Sequence, residues 1–370
     1  MTPPQIAFVL QDALGWSTYR RQLERVLAAR RDIVARIIPV SLGRFDTLFH
    51  KRNNMSARDH LFRRVDPIDA FAGGTGRKIR AALTTAGAVH FAGHWPAAAI
   101  ARLPDAPPFT IALDNTRAGI ERDLPRGAWS GPDMEREAKL LRAAARVWPM
   151  SAWARTSVIE DCGVAPERVS VMPPSLDLSR FPKPGRREPG DGPARIIFIG
   201  NDIRRKGAER LAEWVAGPLA GLAELHVVSG DPAAGELSGR AVVHGRVPND
   251  RLIGELLPTM DVLCLPTRSD MSPQVLAEAA AAGLPAVASA IGGIPDMVLD
   301  EETGLTVPAA DDAGFIAALE RLARDRADAR RMGEAARLHA RENFDADRNF
   351  DRLINTLVAL AAERQQRKTS

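Results

Sequence analysis

Short apolar runs alternate with amphipathic stretches along the whole chain. In the first half, runs at Ile6–Leu10, Ile33–Val40, Ala88–Phe91, Thr110–Leu113 and Val147–Met150 predict strands. Between them, Tyr19–Arg30, Gly76–Thr85, Met134–Ala145 and Ala152–Cys162 carry helical spacing. Strictly alternating strands and helices predict a parallel sheet covered by helices, an α/β architecture. Residues 41–75, rich in Arg, Asn and Gly, show no periodicity and are left unassigned. The stretch 173–193, with six prolines, reads as a linker between a first domain at 1–172 and a second at 194–346. The second series has strands at Arg195–Ile199, Leu225–Val228, Ala241–His244, Val262–Leu265, Ala286–Ser289 and Leu305–Val307. Helices fall between them, with two more at Asp312–Arg324 and Ala327–Arg341. A last amphipathic segment, 347–364, puts Phe350, Leu353, Ile354, Leu357 and Leu360 on one face and needs a partner. The tail beyond it, 365–370, is expected to fray.

One helix departs from the amphipathic pattern. After the strand Val262–Leu265, the sequence predicts a helix opening at Ser272-Pro273, with Ser272 as N-cap and Pro273 at the first helical position. That leaves the amides of Gln274, Val275 and Leu276 free to attract an anion. From Val275 to Ala282 this helix is apolar all round except for Glu278. A helix without a polar face is buried, and a buried carboxylate needs hydrogen-bond donors. Asp270 and Glu278, eight residues apart, therefore flank a phosphate-sized anion site, which points to a nucleotide sugar. Upstream, Arg205 and Lys206 follow a strand, precede a helix and lie between Gly200 and Gly207, glycines that allow close backbone approach. Placed at a helix N-terminus, two cations destabilise the chain unless an anion is bound.

The segment DVLCLPTRSDMSPQVLAEAAAAGLPAVASAIGGIP (Asp261–Pro295) resembles the E-x7-E region of the retaining glycosyltransferases of family 4. GNDIRRKG (Gly200–Gly207) is similar to that family's diphosphate-binding loop, VSVMPPSLDLSRF (Val169–Phe181) to its interdomain strand and linker, and Gly292–Val307 to its post-helix signature. The resemblance covers roughly residues 149–347. It implies the GT-B fold: two doubly wound Rossmann-like domains facing across a cleft, with a C-terminal helix that crosses back to the first. By the same resemblance, Asp270 touches the donor sugar, Ser272 and the Gln274–Leu276 amides hold the phosphates, and Glu278 binds the ribose. Gly200, Asn201, Arg205 and Lys206 then line the diphosphate. Two positions depart from the family pattern. Asp270 stands where the family has Glu, one methylene longer, and Asn201 stands where it has Arg.

In the first domain the signals are weaker. Gly15 occupies a place where family members often carry Gly-Gly against the donor phosphates, and a plain turn explains it equally. Trp16 and His94 are candidates for the acceptor side. His90 and His94 are four apart, but on a strand and its following loop that spacing does not make a metal pair. Asp114 stands where many family members have His beside the reacting sugar, so it is a catalytic candidate, with an N-cap or Asx-turn as the alternative. Asp345-Ala346-Asp347 spells D-x-D, yet it precedes a helix and reads as capping. No metal and no cofactor is expected.

Composition narrows the class. Hydrophobic content of 45% with 26% charged residues describes a globular chain, not a disordered or fibrous one. Two cysteines without C-x-x-C spacing fit small core residues in a reducing compartment. No secretory leader or membrane span is visible, so a cytoplasmic protein is expected. The charge is uneven: residues 1–172 carry 25 basic against 17 acidic side chains, and residues 20–80 alone 15 against 6. Such a block suits peripheral contact with an anionic membrane or a charged acceptor, or else a solvated arginine-rich face. Nucleic acid is not expected, since no aromatic interleaving or zinc spacing accompanies the charge. The reading is a retaining glycosyltransferase. It would move a sugar from a UDP- or GDP-sugar to a carbohydrate or lipid-linked acceptor in surface polysaccharide, lipopolysaccharide or glycolipid assembly. A non-catalytic nucleotide-sugar-binding module, a GT-B phosphorylase and an epimerase are the alternatives.

Overall fold

The computed structural model describes residues 3–11, 15–40, 66–74, 76–103, 105–124, 129–181 and 192–369. The chain divides into two compact units, Met1–Pro173 with Ala346–Ser370, and Pro174–Asp345.

The first unit holds β1 (Gln5–Gln11), β2 (Val34–Val40), β3 (Ala88–Ala92), β4 (Phe109–Leu113) and β5 (Arg146–Pro149). They form one parallel sheet in the order β2-β1-β3-β4-β5. Ile6–Leu10 is fully buried, as expected for a strand covered on both faces. Alternation divides its side chains. Ile6, Phe8 and Leu10 join one core cluster with Leu23, Phe350, Leu353 and Leu357, while Ala7 and Val9 join the other with Phe91, Ile111 and Leu141.

The amphipathic C-terminal segment forms the helix Ala346–Thr369 and belongs to this unit, beside the helix Trp16–Ala29. Arg25 bonds Asp347 at 2.7 Å and Arg30 bonds Asp351 at 2.8 Å along that contact. The expected frayed tail is instead helical through Thr369. Arg364 donates to the Ala86 carbonyl at 2.7 Å, and Lys368 pairs with Asp105 at 2.6 Å, so the last turns are tied to the segments that lead into β3 and β4.

The second unit holds β6 (Ala194–Ile199), β7 (Ala223–Val228), β8 (Val242–Gly245), β9 (Val262–Leu265), β10 (Ala286–Ser289) and β11 (Gly304–Val307). They form a parallel sheet in the order β11-β10-β9-β6-β7-β8. The chain runs from β6 outward through β7 and β8, then returns to β9 on the other side of β6. The switch point therefore lies between β6 and β9, the place where open α/β sheets bind ligands at their carboxyl ends. Both cysteines are buried; burial pushes the Cys162 thiol up to about 12 and the Cys264 thiol higher, so neither is a nucleophile near neutral pH.

Candidate active site

Two loops meet at the switch point. The first leaves β6 through Gly200, Asn201 and Asp202, makes one helical turn at Ile203–Lys206, and passes Gly207 into the helix Ala208–Ala216. Gly207 has φ +85°, and a Cβ there would fall 2.2 Å from the Pro266 carbonyl oxygen. Only glycine lets this loop lie against the exit of β9. The Arg268 amide donates to the Arg205 carbonyl at 2.9 Å and fixes the contact. Gly200 serves another purpose: a Cβ there would stand 2.6 Å from Lys206 Cδ, so the lysine stem runs over the bare backbone.

Arg205 and Lys206 close a short helical turn and immediately precede the N-cap Gly207 of the helix Ala208–Ala216, and each faces a carboxylate. Arg205 Nε donates to Asp202 Oδ2 at 2.8 Å, and its Nη1 bonds the Ser269 carbonyl. Lys206 Nζ lies 2.8 Å from Asp270 Oδ2, with Arg205 Nη1 3.8 Å from the same oxygen. Asp202 also accepts from the Arg205 amide and Asp231 from the Ile203 amide, so carboxylates already occupy the N-terminal donors of that turn. An incoming anion therefore meets side-chain cations here. Asn201 ties two strand ends together, its Oδ1 accepting from the Gly230 amide at 2.8 Å.

The second loop leads from β9 into the helix Gln274–Ala281. Ser272 is not its N-cap: Pro273 holds that position in extended conformation, and Ser272 Oγ is buried without a hydrogen-bond partner among the described residues. The Leu276 amide is also not free, because it closes a tight turn onto the Pro273 carbonyl at 3.0 Å. The amides of Gln274 and Val275 remain without partners among the described residues. Glu278 is half-buried, and its Oε1 accepts from Asn249 Nδ2 at 3.1 Å. Gly292, at φ +54°, packs where a Cβ would stand 2.6 Å from the Asp270 carbonyl, and the Gly293 amide donates to Met271 O at 2.7 Å. This Gly-Gly turn braces the Asp270 loop.

In the first unit, Gly15 precedes the helix Trp16–Ala29 with open space where a Cβ would go, so nothing within the unit requires glycine there. Trp16 stacks edge-on against Tyr19 at 5.3 Å. The Tyr19 hydroxyl bonds His90 Nε2 and Thr110 Oγ1 bonds its Nδ1, both at 2.8 Å, while burial lowers the His90 pKa to about 3. His94, two residues beyond β3, places Nε2 2.7 Å from Glu137 Oε1. Asp114 Oδ1 accepts from its neighbour Asn115, and the following helix is capped by Thr116, whose hydroxyl accepts from Gly119. Sequence reasoning missed this side's buried centre. Glu137 takes the Arg117 amide at 2.7 Å, and Arg117 forks onto Asp66 at 2.7 and 2.8 Å beneath Trp129. Burial opposes ionisation of Asp66, yet the Arg117 guanidinium holds its carboxyl below the usual range. The signal existed: Glu137 is an acid set among buried Ala138, Leu140 and Leu141, the same anomaly that marked Glu278.

Residues 193–325, which carry both switch-point loops, match the family described as Glycosyl transferases group 1. The match is to the family over those residues, and the relatives of the chain are retaining glycosyltransferases of family 4. It is 30% identical over 264 residues to the glycogen synthase of Mycobacterium tuberculosis, an alignment covering 68% of this chain and 62% of that protein. It is 28% identical over 249 residues to the D-inositol 3-phosphate glycosyltransferase of Thermomonospora curvata, covering 59% and 58%. The chain thus spans less than two thirds of either relative. Among solved structures, sucrose-phosphate synthase from Thermosynechococcus elongatus matches with a TM-score of 0.73 at 21% identity over 100% of both chains. Anabaena HepE in complex with UDP and glucose matches at 0.69 and 16% identity, over 95% of this chain and 98% of that one. Likeness at such low identity speaks for the fold, and that fold is GT-B.

Within the matched residues the switch point gathers opposite charges in a small space. Lys206 and Arg205 supply cations, Gln274 and Val275 unpaired amides, and Asp270 and Glu278 two carboxylates one helical stretch apart. Such a set can hold an anionic group against the cations while the acids accept from hydroxyls. Asp202, Asp231 and Asn249 complete it and were not singled out from the sequence.

Proposed function

We propose that the chain transfers a sugar, with retention of anomeric configuration, from a nucleoside-diphosphate sugar to an acceptor hydroxyl. The reading rests on one observation above the rest: Lys206, laid over Gly200, presents its ammonium beside Asp270 at the β6/β9 switch point. In this reading Lys206, Arg205 and the Gln274 and Val275 amides stabilise the departing diphosphate, where charge develops as the glycosidic bond breaks. Asp270 accepts from the sugar hydroxyls and Glu278 from the ribose. A complex of HepE with UDP and glucose supports UDP over GDP as the leaving nucleotide. The acceptor is proposed to be a carbohydrate or lipid-linked hydroxyl of a surface polysaccharide, lipopolysaccharide or glycolipid, met by the first unit through Asp114, His94 and Trp16. Catalysis needs no metal in this account, because side-chain cations and amides supply the counter-charge a cation would bring.

The test is a thermal-shift screen of UDP- and GDP-sugars, followed by product analysis with the donor that stabilises most. A ligand that binds only the native state raises the melting temperature. A stabilising donor that is never turned over, with any acceptor supplied, favours a binding module that has kept the site and lost the chemistry. No stabilisation by any nucleotide sugar removes the donor reading.

A further inference from the structure

We propose that Asp270 is an exchangeable counter-anion for Lys206, so that it opposes the binding of free nucleoside diphosphate and promotes release of that product. The proposal rests on the donor reading above and adds a second, opposite role to a residue otherwise expected only to hold sugar.

Both side chains are mostly buried, at 16% and 17% exposure, so their attraction is poorly screened by solvent. Both Asp270 oxygens are engaged: Oδ2 with Lys206 Nζ at 2.8 Å, and Oδ1 with the Met271 amide at 3.1 Å. The backbone holds the partners in place from either side. Gly200 gives the lysine stem its channel, and the Gly292-Gly293 turn props the Asp270 backbone. Arg205, by contrast, is answered by Asp202, which belongs to its own loop. Lys206 is thus the cation whose nearest counter-charge comes from the opposite loop, Arg205 standing 3.8 Å from the same Asp270 oxygen.

A diphosphate that reaches Lys206 must take over its ammonium. That exchange frees Asp270 Oδ2 to accept from a sugar hydroxyl, so the sugar contact becomes available only once the diphosphate is seated. With the sugar attached, the lost ion pair is offset by the new hydrogen bond. After transfer the sugar is gone, and the Asp270 charge, which also faces Arg205 Nη1 at 3.8 Å, competes with the remaining diphosphate for Lys206. Removing the carboxylate should therefore tighten the product while weakening discrimination in favour of the donor.

Calorimetric titration of UDP, GDP and UDP-glucose into the unaltered chain, Asp270→Asn and Asp270→Ala tests this. The expected result is that the preferred nucleoside diphosphate binds both variants roughly three- to thirty-fold more tightly, since one partly buried like charge has been removed. The ratio of UDP-glucose to UDP affinity should fall in the same variants. Asp270→Asn keeps the side-chain shape and carries the test if Asp270→Ala does not fold. Where Asp270→Ala folds, it excludes the new amide as the source of the gain, and tightening in Asp270→Asn without tightening in a folded Asp270→Ala overturns the proposal. Unchanged or weaker diphosphate binding in the variants, with normal binding by the unaltered chain, overturns it while leaving the donor reading intact. Binding of no nucleotide by any of the three overturns both.

Discussion

Lys206 and Arg205 differ in what they have to give an anion. Arg205 is tied to Asp202 and the Ser269 carbonyl, whereas Lys206 has a single side-chain partner across the loop. A charged hydrogen bond is worth about 1.5–3 kcal/mol, or roughly ten- to over a hundred-fold in affinity. Both Lys206→Ala and Arg205→Ala should weaken nucleoside-diphosphate binding by calorimetry, the lysine change at the upper end of that range. Unchanged affinity in both would remove this loop from the site. Glu278→Gln should lower donor affinity with native circular dichroism, because the amide keeps the shape and can still accept from Asn249 while the anionic acceptor is gone. Donor affinity and turnover that survive the change would make Glu278 a structural residue.

Elements place these groups, and the most constrained of them is the turn before the helix Ala208–Ala216. Gly207→Ala combines a left-handed backbone with a Cβ driven into Pro266, so it should cost about 1–3 kcal/mol in a denaturant melt and lose diphosphate affinity with it. Fully buried β3 carries a pH signature. His90 is kept neutral, its pKa lowered to about 3 by burial, so the unfolded chain binds a proton that the folded chain does not. That contribution is complete above the ordinary value of about 6.5 and is lost as pH falls, at up to about 1.4 kcal/mol per pH unit until about 3. Burial lowers His226 and His244 in the same direction. Urea midpoints between pH 7.5 and 5.5 should therefore fall with pH, and less steeply in His90→Asn; equal slopes would contradict the assignment.

The same elements show what periodicity can carry. Val262–Leu265, Ala286–Ser289 and Asp312–Arg324 were legible to the residue because apolar runs end at turn formers or caps. The helix Pro67–Ala72 and the tight turns of Trp95–Arg102 were not, being too short for a period to repeat. Gly207 was legible as a glycine that permits close approach, but its contact with Pro266 is a tertiary fact. The pairing of Lys206 with Asp270 spans 64 residues, and the burial of Glu137 under Arg117 joins two helices; neither leaves a local pattern beyond an acid in an apolar face.

At the scale of the molecule, charge is the unabsorbed feature. Among the described residues of the basic block, Arg20, Arg25 and Arg30 pair with Glu24, Asp347 and Asp351, and Arg80 bonds the carbonyls of Ala72 and Gly73. Lys51, Arg52, Arg58, Arg63 and Arg64 lie outside the described residues. No helix among the described residues is long and apolar enough to cross a membrane. Membrane contact through the basic block is proposed to be electrostatic, because charge is what sets the block apart. Co-sedimentation should then appear with anionic vesicles, not neutral ones, at about 1 kcal/mol per well-placed basic side chain, and fade with salt. Binding that ignores lipid charge would reject that docking. The central claim concerns the donor, and the most direct measurement is release of nucleoside diphosphate from a panel of UDP- and GDP-sugars by the unaltered chain and by Lys206→Ala. The account predicts that at least one donor is consumed with release of its UDP or GDP, and that the lysine change suppresses this at least ten-fold, by the loss of about 1.4 kcal/mol or more of transition-state stabilisation. Consumption that persists unchanged without Lys206, or no consumption of any donor with an acceptor present, would contradict it.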